Sequence, residues 1–322
     1  MKITLLNPLE VSEQTIEKNK EKLEELGHEF VYYNDLAKDD DEIIERLNDS
    51  DIAIITNKPL SAKVINACPN LEMVDVAFTG VDHVALDAIK ENGITLLNAS
   101  GYSDDSVAEL VIGLAIAVMR KFNENRENIF DNSNHKLLGE TLKGKKVGVI
   151  GTGNIGIKLI ELLKVFGCDI IAYSRSEKDE VKDMGVEYVD LDTLLSESDI
   201  VSLHIPNNSQ TKNFLGKDEL DKMKDNAILI NCARGPVVDN DYLAELLNQA
   251  KLRAGIDVFD MEPPLPEDYS LRNAKNCILT NHVAYYTKEA MENRAEIVFN
   301  NIYEYLNGNI INEIKLWQML KS

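Results

Sequence analysis

Three side chains able to handle a proton or an anion stand just after three short apolar runs in the second half of the chain. Arg234 follows ILINCA, Glu262 comes after AGIDV in DVFDMEPP, and His282 ends CILTNH. An arginine at the end of a buried strand is unfavourable unless an anion comes to meet it. Histidine titrates near working pH, so such a ring can give a proton and take it back. A carboxylate beside it orients the ring and stabilises its charged form. Taken singly, each residue has an ordinary explanation as a surface ion pair, a loop carboxylate or a structural histidine. Together they occupy the C-terminal edge of parallel strands, where open α/β sheets bind ligands.

A second pattern lies upstream. Gly151, Gly153 and Gly156 form G-x-G-x-x-G in KVGVIGTGNIG, after an apolar run and at the start of a helical pattern. That turn brings backbone amides at a helix N-terminus, those of Asn154 and Ile155 among them, close to a pyrophosphate. The next apolar run, DIIAYS, leads into Ser174 and Arg175. A site for NAD usually has a carboxylate there to hold the ribose 2′-hydroxyl. A Ser–Arg pair suits a 2′-phosphate instead, so the expected cofactor is NAD(P)H, with NADPH preferred. The alternative is that Arg175 stacks on the adenine while NAD binds.

These residues need elements to hold them. The chain has 322 residues, long enough to favour two domains. Apolar runs at 3–7, 29–33, 52–56, 73–78 and 94–98 read as five buried strands, separated by segments with apolar residues at helical spacing such as Ile16, Leu23 and Leu26. Gly27 and Gly93 stand where helices should stop. A second series starts at 146–151 and continues at 169–174, 187–189, 200–205, 227–232, 254–258 and 277–282. Between the series, 107–119 reads as a helix buried nearly all round, followed by a polar loop from 123 to 144. Residues 287–306 read as another long helix with Gly308 as its stop. The expected class is α/β, with two parallel sheets.

Composition excludes several partners. Fifty-five acidic against 34 basic residues give a formal charge of −21, which disfavours nucleic acid and anionic membrane surfaces. An anionic substrate must therefore be drawn in by local charge. Four scattered cysteines form no C-x-x-C and have no histidine cluster beside them, so neither a disulfide framework nor a metal site is expected. The first residues lack the apolar run of a signal peptide, and VAELVIGLAIAVM is shorter than a membrane span. A cytoplasmic protein is the expectation.

In order and spacing, GTGNIG, LHIPNNSQT, NCARGPVVD, DVFDMEPP and NHVAYYT resemble the D-2-hydroxyacid dehydrogenases over essentially the whole chain. The resemblance implies two Rossmann-like domains, a flavodoxin-like substrate domain and a dinucleotide-binding domain, with the active site in the cleft between them. It implies a substrate domain of 1–98 plus 288–322 and a dinucleotide domain of 99–287, assembled as a homodimer through the latter. Matched by motif, His282 is the acid/base, Glu262 holds it, and Arg234 meets the substrate's carboxylate and carbonyl oxygen. Thr79 and Gly80 of FTGVD match the loop whose amides hold that carboxylate. His204, Pro206 and Thr211 fall on the cofactor crevice, and Cys232, Ala233 and Asp257 fall where the nicotinamide amide is held.

Two positions depart from the usual pattern. Asn281 stands where a proline normally precedes the histidine, and Tyr285 and Tyr286 follow it, as in the D-lactate dehydrogenase branch. The first domain, with TNKPLSA, TGVDHV and NASGYSDDSVAEL, is closer to the glycerate dehydrogenase/hydroxypyruvate reductase branch. Hydroxypyruvate or glyoxylate is the expected substrate, with pyruvate as the alternative and longer 2-keto acids after it. A different class is a non-catalytic dinucleotide sensor of the same fold, which can keep all three charged residues. Lys58 reads better as a solvated loop cation than as a substrate contact, and Ser103 reads as a helix cap before DDSVAEL.

Overall fold

The computed structural model describes residues 1–315; the end of the expected substrate domain, 316–322, lies outside them. The chain divides into two compact units. One comprises residues 1–103 and the stretch from 287 on, and the other residues 104–286. The expected joints were 98/99 and 287/288.

The first unit carries five strands, β1 (Lys2–Leu5), β2 (Glu29–Tyr32), β3 (Ile52–Ile55), β4 (Met73–Val76) and β5 (Thr95–Asn98). They are all parallel, in the order β2-β1-β3-β4-β5. This is the flavodoxin-like order. β3 and β4 are buried at every position, because helices cover both faces of a parallel sheet. Three of the four intervening helices start at side-chain caps: Ser12, Asp39 and Ser61 each accept from a backbone N–H of the first turn. Gly27 and Gly93 do end helices, with φ of 84° and 67°. Leu26 does not join the core: it is the C-cap of its helix and stays exposed, since the helical stripe runs through Ile16 and Leu23 alone. Helix Lys288–Leu306, capped by Thr287, completes this unit with Arg294, Phe299, Asn301 and Ile302 all buried.

The second unit carries seven parallel strands, β6 (Lys146–Ile150), β7 (Asp169–Tyr173), β8 (Glu187–Tyr188), β9 (Ile200–Leu203), β10 (Ile228–Asn231), β11 (Arg253–Ile256) and β12 (Cys277–Leu279). Their order is β12-β11-β10-β9-β6-β7-β8, the doubly wound dinucleotide-binding order with one strand added. The chain winds outward from β6 to β8, then returns to lay β9 on the other side of β6. That reversal creates a switch point between the C-terminal ends of β6 and β9, where such sheets take ligands.

Helix Asp104–Met119 packs on this sheet; a Cβ on Gly255 of β11 would stand 2.9 Å from the Cβ of Leu114. It is not buried all round, for Asp105, Glu109 and Gly113 form an exposed stripe four residues apart. The stretch expected as a polar loop contains a helix, Phe122–Phe130. Glu124, Arg126 and Glu127 are good helix formers, no Gly or Pro interrupts the segment, and Arg126 lies over the Phe130 ring at 4.7 Å, four residues along. It buries no residue, which hid it from a reading based on apolar periodicity.

Candidate active site

The expected site residues of the second unit all lie beyond the C-terminal ends of its strands. At β6, Gly151 has φ 95°, and a Cβ there would stand 2.5 Å from the carbonyl oxygen of His204. Only glycine fits so tight a turn beside β9. A Cβ on Gly156 would lie 2.1 Å from the Gly151 oxygen, so that glycine lets helix Asn154–Val165 start against the strand. Gly153 differs, because a Cβ there would meet no protein atom within 4 Å. Packing does not require it to be bare, whereas the approach of a pyrophosphate to the backbone does. Gly153 is also the N-cap of that helix and brings no capping side chain, which leaves the first amides, around Asn154 and Ile155, to a ligand. The turn therefore fits a dinucleotide. The Asn154 side chain is hydrogen-bonded to Asp104, whose carboxyl is pushed up by burial and by neighbouring Asp105.

Beyond β7, Ser174 is half-buried and Arg175 exposed, with Arg175 donating to Gln210 Oε1 at 3.0 Å. Gln210 sits in the loop after β9, so the β9 loop props the guanidinium at the switch point. In that loop Thr211 is buried, and its hydroxyl donates to the Pro206 carbonyl at 2.6 Å while accepting from the Asn208 amide at 2.8 Å. His204 pairs through Nε2 with Ser202 Oγ at 2.8 Å, and burial pulls its pKa down to about 4. It is a neutral ring on the crevice wall, with no proton to supply near neutral pH.

Beyond β10, the buried Asn231 side chain shapes the turn that presents Arg234. Its Oδ1 accepts from the Ala233 amide at 3.0 Å and its Nδ2 donates to the Arg234 carbonyl at 2.9 Å. A lone Asn closing an apolar strand was the signal for this residue, and only the fold shows its task. The Arg234 guanidinium donates through one nitrogen to the Ala233 carbonyl at 2.8 Å. Gly235 is packed so closely that a Cβ would lie 2.0 Å from the Phe259 carbonyl carbon. That contact sets the Arg234 turn against the loop carrying Glu262. Asn240 ties the same two loops, donating to the Gly235 carbonyl at 3.2 Å and to the Asp260 carboxylate at 3.0 Å. Burial, and then nearby Asp257, hold the Cys232 thiol well above its usual pKa, which removes it as a nucleophile.

His282 Nδ1 lies 2.9 and 3.0 Å from the two carboxylate oxygens of Glu262. The carboxylate fixes which ring nitrogen faces it and leaves Nε2 for another partner. His282 itself has φ 51°, a backbone region that side chains rarely adopt. Asp257 maintains it. This carboxylate, wholly buried, accepts from Thr280 Oγ1 at 2.6 Å, from the Val283 amide at 2.9 Å and from the Ala284 amide at 2.9 Å. Three hydrogen bonds leave little of its accepting capacity for anything else. The Tyr285 ring meets the His282 ring edge-on at 5.4 Å, and Tyr286 follows it, half exposed. Among the described residues no cluster of His, Cys, Asp and Glu could hold a metal ion, and no helix is long and apolar enough to cross a membrane.

In the first unit, Thr79 ends the bend after β4 and Gly80 follows it, both partly exposed. The Thr79 hydroxyl oxygen is buried without a hydrogen-bond partner among the described residues.

The model of the D-isomer-specific 2-hydroxyacid dehydrogenase NAD-binding domain matches residues 112–284, more than half of the chain. The chain belongs to the D-isomer-specific 2-hydroxyacid dehydrogenase family. It is an oxidoreductase of the 2-hydroxyacid dehydrogenase type, with a nicotinamide dinucleotide as cofactor. Among dehydrogenases of this family, it is 32% identical to a hydroxypyruvate reductase of Blautia hydrogenotrophica over 303 residues, covering 91% of this chain and 93% of that one. It is 37% identical to a glyoxylate reductase of Thermococcus litoralis, covering 83% and 84%. Among solved structures, an acyclic imino acid reductase in complex with NADPH and D-Arg is similar at a TM-score of 0.88 and 30% identity, covering 98% of this chain and all of the other.

Proposed function

We propose that this dehydrogenase reduces hydroxypyruvate or glyoxylate with NADPH, using His282 as acid/base, Glu262 as its holder and Arg234 as the anchor for the substrate's carboxylate and carbonyl oxygen. The observation that carries this reading is the pair of contacts from His282 Nδ1 to both oxygens of Glu262. When bound, the dinucleotide supplies the hydride. The chain's own part is to hold the 2-keto acid and to deliver a proton to its carbonyl oxygen. With Nδ1 facing Glu262, His282 gives that proton from Nε2. Arg234 binds the carboxylate and stabilises negative charge as it develops on the oxygen. In the first unit, Thr79 and Gly80 are the substrate-carboxylate residues of this reading, through their amides.

Gly151, Gly153, Asn154, Ile155 and Gly156 are the pyrophosphate turn of this reading. Ser174 and Arg175 take the 2′-phosphate, supported by the Gln210 contact that props Arg175 and by the likeness to a reductase bound to NADPH. His204, Pro206 and Thr211 wall the crevice, and the backbone at Cys232 and Ala233 meets the nicotinamide amide. Asp257 faces that amide only with whatever capacity its turn contacts leave. Tyr285 beside His282 narrows the room next to the acid, which favours small 2-keto acids. The names of the two relatives support hydroxypyruvate and glyoxylate within that group. Pyruvate is the alternative, favoured by the Tyr285–Tyr286 pair.

We also infer a cytoplasmic homodimer. The support for the dimer is an exposed apolar surface of the second unit, Phe122, Ile129 and Phe130, with Ile129 74% accessible.

The deciding experiment compares NADPH and NADH oxidation with hydroxypyruvate, glyoxylate, pyruvate and a bulkier 2-keto acid. Fastest turnover of hydroxypyruvate or glyoxylate with NADPH is expected. Turnover of none of them, with nucleotide binding demonstrated, would sink the reading and point to a substrate outside this panel or to a dinucleotide sensor.

A further inference from the structure

The core of the first unit contains a polar chain that no reaction step above uses. Asn301, on helix Lys288–Leu306, is wholly buried. Its Nδ2 donates to the Asn98 carbonyl at 3.1 Å and to Asp75 Oδ1 at 3.1 Å, while its Oδ1 accepts from Asn312 Nδ2 at 2.8 Å. The Asn98 carbonyl can only accept, which fixes the orientation of the Asn301 amide. Asn98 closes β5, is nearly buried, and donates through Nδ2 to the Thr79 carbonyl at 2.7 Å. Its own amide is held by the Asn312 carbonyl at 3.2 Å. One helix, two strand ends and the segment after the helix thus converge on Thr79 and Gly80.

We propose that Asn98, braced by Asn301, is the positioning residue of the Thr79–Gly80 substrate loop. The proposal rests on the reading that the amides of this loop hold the substrate carboxylate. A peptide group turns as a unit, so pinning the Thr79 carbonyl sets the direction of the Gly80 N–H. Asp75 terminates the chain. Its Oδ1 is used by Asn301, and Oδ2 is buried without a partner among the described residues. A carboxylate with a bare buried oxygen is unfavourable, and burial duly raises Asp75 to about 8 against the opposing Asn301 bond. Since Oδ1 accepts from Asn301, the proton belongs on Oδ2, and the chain ends in a neutral acid that places no charge beneath an anion-binding loop.

The test separates the two KM values. Asn98→Ala is expected to raise KM for the best keto-acid substrate about five- to tenfold, the worth of one hydrogen bond. KM for the dinucleotide and kcat at saturating keto acid should stay unchanged. Gly80→Pro deletes the loop amide itself and should raise the keto-acid KM as well. A raised KM in Gly80→Pro with no change in Asn98→Ala overturns the proposal and leaves the loop reading standing. Unchanged KM in both overturns the two together. If Asn98→Ala does not fold, Asn98→Ser, which keeps a shorter donor, carries the same comparison. A lowered thermal midpoint in Asn98→Ser with unchanged keto-acid KM assigns Asn98 to stability and overturns the proposal.

Discussion

Asp257 holds His282 from below: the Asp257 carbonyl accepts the His282 amide at 2.9 Å, and its carboxylate accepts the next two amides of the chain. The histidine's left-handed backbone is thereby over-determined by the buried Asp257 side chain. Asp257→Asn keeps the shape but turns one acceptor oxygen into a donor facing the Ala284 or Val283 amide. The variant should lose about 1–3 kcal/mol of stability and most of its turnover. Thermal unfolding and kcat measured side by side check this. Native kcat with native stability would show that the turn holds without the carboxylate.

His282→Ala removes the proton donor and leaves the dinucleotide turn of β6 untouched. Turnover should fall about 10²- to 10⁴-fold, while dinucleotide affinity by fluorescence titration stays at its original value. Near-native turnover would refute the acid/base role.

Arg175→Ala should raise KM for NADPH well above any change for NADH, because only the former offers a 2′-phosphate to the guanidinium. Equal losses with both cofactors would place Arg175 on the adenine instead.

The glycines of the turn should separate by task. A methyl group at Gly153 meets no protein atom within 4 Å, so Gly153→Ala should melt like the parent and bind dinucleotide more weakly. Gly156→Ala sets a Cβ 2.1 Å from the Gly151 oxygen, so its first effect should be a lower melting temperature. Calorimetric melts with and without cofactor measure both. Parental cofactor affinity in Gly153→Ala would mean that the bare backbone serves no ligand.

Asp75 gives a pH signature. Burial raises its folded pKa to about 8, whereas an unfolded aspartate titrates near 3.9. Between those values the unfolded chain has released a proton that the folded chain keeps, so this group's stability contribution declines as pH rises and levels off above about 8. The slope is at most about 1.4 kcal/mol per pH unit. Asp75→Asn should remove it, so the variant's denaturant midpoint should gain on the parent's from pH 5 to 8 and no further. Parallel midpoints across that range would show that Asp75 folds as the carboxylate.

Much of this was legible before any coordinates. Strand positions followed from runs of Ile, Val and Leu, helix stops from Gly27, Gly93 and Gly308, and the dinucleotide turn from its three glycines. What stayed hidden was polar work done inside the core. Asn231, Asn240, Asn98 and Asn301 look like ordinary amides in a sequence, because a hydrogen bond between residues 98 and 301 leaves no periodic trace. Asp257 enters the sequence reading only through the family resemblance, and its contacts to the His282 turn follow from register and backbone angle. Helix Phe122–Phe130 escaped for the opposite reason: it buries nothing, and apolar periodicity reports only what is buried.

The return of helix Lys288–Leu306 to the first unit sets order of synthesis against order of closure. The five strands of that unit are made within the first hundred residues, yet Asn301, Arg294 and Phe299, which plug its core, follow only after the second unit. The second unit is continuous in the chain. The first must wait, apolar face uncovered, while nearly two hundred residues are added, and that interval is when this chain most needs protection from its neighbours.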